Sequence, residues 1–97
     1  MAVQNDDLEE PSPTVRVRVP AEARQGVYAN VSLVSHSGHE FTIDFCQTQP
    51  AGKSMEVSAD VVSRVHLPPT LIPSLITALQ GNVAAYEGQF GAIPEVR

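Results

Sequence analysis

The sequence predicts an α+β fold: an antiparallel four-stranded β-meander followed by one long C-terminal amphipathic helix, in two layers. Three observations predict it. Apolar residues alternate with polar ones in four successive segments between Thr14 and Leu67. Gly- and Pro-containing stretches separate the last three of those segments. After Pro68-Pro69 the apolar period changes from two to between three and four.

The first segment is Thr14-Val15-Arg16-Val17-Arg18-Val19, in which the valines share one face and the arginines the other. Pro20 ends this strand or places it on a sheet edge. A connector ending at Gly26 leads to a second strand, Val27 to Ser37. Here Val27, Ala29, Val31 and Leu33 form the apolar face, and Tyr28, Asn30, Ser32, Val34 and His36 form the other. Ser37-Gly38-His39 turns the chain into a third strand, Glu40 to Gln47, with Phe41, Ile43 and Phe45 inward. Gln49 to Ser54 reads as a loop. Met55 to Leu67 is the fourth strand, with Met55, Val57, Ala59, Val61, Val65 and Leu67 on one face. Its length implies a bulge or bend near Ser63.

The helix is expected to start with Thr70 as N-cap and to place Pro73 in its first turn, where a missing N–H is tolerated. Ile72, Ile76, Leu79, Val83, Tyr86 and Phe90 recur at spacings of 4, 3, 4, 3 and 4, and Leu71 and Leu75 widen the stripe. That is one apolar face over about five turns. Gly91 is the expected stop, with Pro94 beyond it. Gly81 and Gly88 lie off the stripe and each costs about 1 kcal/mol relative to Ala.

Three regions follow: a disordered acidic tail over residues 1–13, a single α+β domain over 14–91, and a flexible C-terminal tail over 92–97. A chain of 97 residues is of one-domain length, and it buries only roughly 60–65% of its unfolded surface. One helix covers part of a four-stranded sheet, so apolar surface is left for a second subunit. A homodimer or higher oligomer is therefore expected, joined through Ile72, Ile76, Leu79, Val83, Tyr86 and Phe90.

Charge and composition narrow the function. Four of the eleven acidic residues lie in the first ten positions, leaving seven acidic against six basic residues from position 11 on. A near-neutral body is a poor match for nucleic acid, which selects a concentrated positive field. Arg16 and Arg18 on one strand are the one feature in favour of a ribbon-type DNA binder. The single cysteine, Cys46, permits no internal disulfide. No apolar run approaches the ~20 residues of a membrane helix, and no secretory signal opens the chain. A cytoplasmic address is expected.

No enzyme signature is present. His36, His39 and His66 are the only histidines; a His-x-x-His pair on a hairpin is a known metal pattern, but surface turn histidines are common. Cys46 beside aromatics reads as a buried free thiol rather than a nucleophile. Glu40 and Asp44 read as cross-strand partners of Arg16, Arg18 or Arg64 rather than as a catalytic pair. Asn30 reads as a side chain satisfying a neighbouring backbone group. No glycine spacing suits a phosphate. Catalytic, cofactor-binding and metal residues are thus expected to be none.

The run Gly26-Val27-Tyr28-Ala29-Asn30-Val31, then Val34-Ser35-His36-Ser37, Glu40-Phe41-x-x-Asp44-Phe45 and Arg64-Val65-His66-Leu67-Pro68-Pro69 resembles a family of small bacterial proteins known only as a domain of unknown function. Tyr86-Glu87-x-x-Phe90-Gly91 also fits, so the likeness spans about residues 26–91. It implies a stand-alone protein without an established activity and lends no catalytic residues. The family more often has Gly after the Asp-Phe pair; Cys46 departs from that, which argues against a shared role for the thiol.

The expected function is a non-catalytic oligomeric protein-interaction or scaffold module of a bacterial assembly, with itself and an unidentified protein as partners. Strands in series followed by a long helix also resemble the export chaperone SecB in architecture, so a holder of unfolded clients is the alternative.

Overall fold

The computed structural model describes residues 13–49 and 56–95. The expected acidic tail therefore lies outside the described residues except for Pro13, as do most of the Gln49–Ser54 loop, Met55 and the last two residues. The fold is α+β. Strands β1 (Val31–His36), β2 (Phe41–Thr48) and β3 (Ala59–Leu67) form one antiparallel sheet in the order β1-β2-β3. Helix α1 (Ile72–Phe90) follows. Single 3-10 turns at Ala21–Ala23 and Pro69–Leu71 mark the two proline-led corners.

The sheet has three strands, not four. Thr14–Val19 alternates as a strand does, but none of its backbone groups is hydrogen-bonded among the described residues. Val15 and Val17 are 82% and 80% exposed. Period-two alternation makes a segment fit for a sheet; only a neighbouring edge makes it a strand. The second predicted strand also starts later, at Val31 rather than Val27. Asn30 takes over at that point. Its backbone N–H donates to the Cys46 carbonyl (2.9 Å), and its carboxamide accepts from the Thr48 N–H and donates to Thr48 Oγ1 (3.1 Å each). A side chain thus closes the ladder where another backbone pair would have stood, as expected of Asn30.

Register corrects the predicted faces. Val34 pairs with Ile43, and Ile43 with Val65; His36 pairs with Phe41, and Phe41 with Leu67. Cross-strand partners share a face, so Val34 joins Ile43 and Val65. Val31 and Leu33 lie on the other face, opposite Cys46 and Asp44. The expected bulge is present. Phe45 faces Ser63, but Cys46 faces Val61, so Val62 is the extra residue on β3. One inserted residue reverses the side-chain alternation beyond it. Val61 and Ala59 consequently lie on the Cys46 face, while Val65 and Leu67 lie on the Phe41 face.

The tight β1–β2 connection is held by Ser37. Its hydroxyl accepts from the His39 and Glu40 N–H groups at 3.1 and 3.3 Å, and its own N–H donates to the Glu40 carbonyl.

At the helix start the expected cap is replaced. Thr70 sits inside the 3-10 turn, and Leu71 occupies the N-cap position without a side-chain cap bond. Pro73 falls in the first turn, as the sequence requires. Gly91 ends α1 at φ +97°, its N–H bonded to the Glu87 carbonyl at 3.0 Å. The Glu87 carboxylate then accepts from the Ile93 N–H. That backbone region is close to glycine-only, so Gly91→Ala should destabilise the fold by about 1–3 kcal/mol. Urea denaturation of the two proteins side by side measures it.

Among the described residues the helix does not cover the sheet as a second layer. Ile72 and Leu75 are half-buried near the helix start, but every residue from Ile76 to Phe90 is exposed. Among the described residues Cys46 alone is buried, at 2% exposure. It lies beside Val31 and Val61, and its thiol is free.

Candidate interaction surface

The surface is built from the one element whose packing the sheet does not satisfy. Six apolar residues of α1 stand on a single side by helical period: Ile72, Ile76, Leu79, Val83, Tyr86 and Phe90. Leu79 is 58% exposed and Phe90 67%. The Tyr86 and Phe90 rings touch at a centroid distance of 5.0 Å, one turn apart, and so present one aromatic end to the stripe. A shallow groove runs along Ile76, Leu79 and Val83, flanked by Gln80, Ala84 and Glu87. All five stripe residues from Ile76 on are exposed and adjoin one another, and a contiguous apolar patch of this kind marks an interaction site. Gly81 and Gly88 lie on the opposite side, and a Cβ added at either would meet nothing within 4 Å.

A second apolar surface belongs to the sheet. The rows Val34–Ile43–Val65 and His36–Phe41–Leu67 cross all three strands on one face. Val34 is 62% exposed, and Ile43, Phe41, Val65 and Leu67 are only half-covered. The His36 ring stacks on Phe41 at 5.5 Å. Val27 and Ala29 border a further hollow on the same face with Phe45, Ser63 and Val65.

The other face carries the polar network. The Arg64 guanidinium grips the Asp44 carboxylate with two bonds, Nε to Oδ1 at 2.6 Å and Nη2 to Oδ2 at 3.1 Å. Of the three arginines that the sequence offered Asp44, Arg64 is the partner. That bond holds the Asp44 carboxyl below its ordinary range and raises Arg64. A lowered native pKa means that the pair stabilises the fold above the unfolded carboxylate value and loses that effect as pH falls through the native one. Asp44→Asn should therefore lower stability at pH 6, and the difference from the parent should shrink on descending below about pH 4. Thermal melts across that range test it.

Glu40 lies beside His66 on the same strand pair. Thr42 Oγ1 is 3.0 Å and Glu40 Oε2 is 3.3 Å from one nitrogen, His66 Nδ1. A hydroxyl–imidazole–carboxylate relay uses both ring nitrogens; here both partners meet at one, so these residues form a cross-strand tie. Cys46 Sγ points to the Asp44 carbonyl at 3.7 Å, away from any histidine bond. His36 and His66 lie on opposite faces of the sheet by register. Among the described residues no three His, Cys, Asp or Glu side chains gather as a metal site.

Register and helix placement were not readable from the sequence. Alternation gives two faces per strand but not which face meets which, and the bulge at Val62 decides that for β3. The one signal available was Val62 itself, an apolar residue breaking an otherwise polar series.

These features define a class: a three-stranded sheet with a C-terminal helix whose apolar stripe has no partner among the described residues. A family model described as a protein of unknown function (DUF3467) matches residues 1–95, and the chain belongs to that family. No curated protein and no solved structure matched the chain. Among the described residues no helix is long and apolar enough to cross a membrane.

Proposed function

We propose that this protein is a non-catalytic oligomeric protein-interaction or scaffold module, assembled from copies of itself through the α1 stripe. One observation carries the reading: Cys46 is the only buried side chain among the described residues, while Ile76, Leu79, Val83, Tyr86 and Phe90 stand in water. Ordering a chain costs about 1–2 kcal/mol per residue in backbone entropy, and apolar burial is the main offset. One buried cysteine and a few half-buried apolar residues, Phe41, Ile43, Phe45, Val65 and Leu67 among them, supply only part of it. A second copy covers the helix stripe and the Val34–Ile43–Val65 face together, and the two-layer arrangement arises between chains rather than within one. The six stripe residues and the row Val34–Ile43–Val65 carry no charged side chain, with Glu87 at the border of the one and Asp60 toward the far end of the other, which suits burial of the two centres against each other. An unidentified protein would then bind the assembled oligomer. A cytoplasmic setting completes the reading, since the lone free thiol needs no oxidising compartment.

Light scattering at about 1 µM, a concentration at which only a Kd well below this keeps copies together, tests it. A dimer or larger species is expected, and a clean folded monomer refutes it.

The exposed apolar groove on α1 also favours a chaperone that holds unfolded chains, the SecB-like alternative. Aggregation of a thermally denatured client separates the two. Suppression at stoichiometric amounts supports the holder; none leaves the groove to self-assembly.

A further inference from the structure

We infer that Thr14–Val19 is an exchanged strand, which pairs with the free edge of β1 in a second copy and completes a four-stranded sheet there. The inference rests on the oligomer proposed above and says how one of its contacts is made.

The segment has the alternation and the β-branched composition of a strand but no neighbour among the described residues. Val15, Val17 and Val19 are β-branched and share a face, yet they are 82%, 80% and 57% exposed. Its backbone donors and acceptors are unpaired among the described residues. Pro20 and the 3-10 turn at Ala21–Ala23 separate it from the sheet of its own chain, and Gly26 redirects the chain at φ +71°.

The sheet offers two edges, and they are not equivalent. On β3 the bulge at Val62 breaks the outer row of backbone groups, a device that discourages added strands. On β1 the register runs without interruption for six residues, Val31–His36. Six is also the length of Thr14–Val19. The Ser37 N–H bonds the Glu40 carbonyl, which marks a hydrogen-bonded pair. In an antiparallel ladder such pairs alternate. Ser35, Leu33 and Val31 therefore turn their backbone groups toward β2, and Ser32, Val34 and His36 turn theirs outward. That row is continuous in register and unpaired among the described residues, which is the geometry that recruits an extended segment. Adding a strand there also lays valines beside Val34 or beside Leu33, both more than 60% exposed.

Two measurements on the full chain test this. The first is residue-resolved amide exchange. The Ser32, Val34 and His36 amides should be protected in the native oligomer, and Val17→Pro should speed their exchange at least tenfold while β2 amides hold. A proline removes a donor and blocks pairing, but it is harmless in an unpaired extended segment. Equal, fast exchange in both proteins overturns the inference while leaving an oligomer seen by light scattering intact. A monomer by light scattering overturns both. The second measurement fixes the chain. In a Cys46→Ala background, Val17→Cys and Val34→Cys proteins are mixed, refolded together and treated with a short bismaleimide. Covalent heterodimers are expected. Cross-linking only within one chain, in the protein carrying both cysteines, would show the strand folding back on its own sheet and overturn exchange.

Discussion

Replacing Leu79 with glutamate is expected to abolish self-association. Leu79 occupies the middle of the α1 stripe, with Ile76 and Val83 one turn or less away on either side. Full burial of a leucine side chain contributes about 1.5–3 kcal/mol. An unpaired buried carboxylate costs several kcal/mol more. In a two-fold interface each substitution occurs twice. The combined loss, at about 1.4 kcal/mol per tenfold, weakens association by at least about 10³–10⁴-fold. Val83→Glu should behave alike. Ala85→Glu, placed on the opposite side of the same helix, is the control, and it should change stability by no more than about 0.5 kcal/mol. Sedimentation velocity on the three variants reads the pattern. Unaltered mass and folding in Leu79→Glu would remove the stripe from the interface.

The second large effect is expected on the sheet. Ile43 lies at the centre of the Val34–Ile43–Val65 row and is half-buried among the described residues. Were that face open to water, truncation to alanine would remove little more than partial contacts, costing about 1 kcal/mol. With the face covered by a second copy, Ile43→Ala leaves a cavity in a closed interior and should cost about 2–5 kcal/mol. The size of the loss, read from denaturant midpoints at fixed protein concentration, distinguishes the two states of the face. Because association and folding are linked, the thermal midpoint of the parent should also rise with protein concentration.

Much of the fold could be read from residue pattern, and the parts that failed share a cause. Glu40 to Gln47 was placed within one residue because Phe41, Ile43 and Phe45 alternate against polar neighbours between two turn signals. The helix, its first-turn proline and its Gly91 stop followed from local stereochemistry. What failed depended on contacts distant in sequence. Thr14–Val19 has the pattern of a strand, but pairing is a property of two segments, and no local signal says whether an edge is within reach. The second strand starts at Val31 rather than Val27, after Asn30 grips Thr48, 18 residues away. The bulge at Val62 reverses the faces of β3, which alternation alone would have kept continuous. In the candidate surface, the six stripe residues were legible because a helix fixes which side chains share a side. That the stripe from Ile76 on is left uncovered among the described residues was not, since periodicity says which residues are to be covered and not by which chain.

The measurement that bears most directly on the account is dilution, followed at once by mass and by circular dichroism. The protomer's apolar helix and sheet face are held to be stable only when each covers the other across copies. Mass and ordered structure should then fall together over the same concentration range. A chain that dissociates to a single copy and still retains both its helix and its sheet signal would contradict the account.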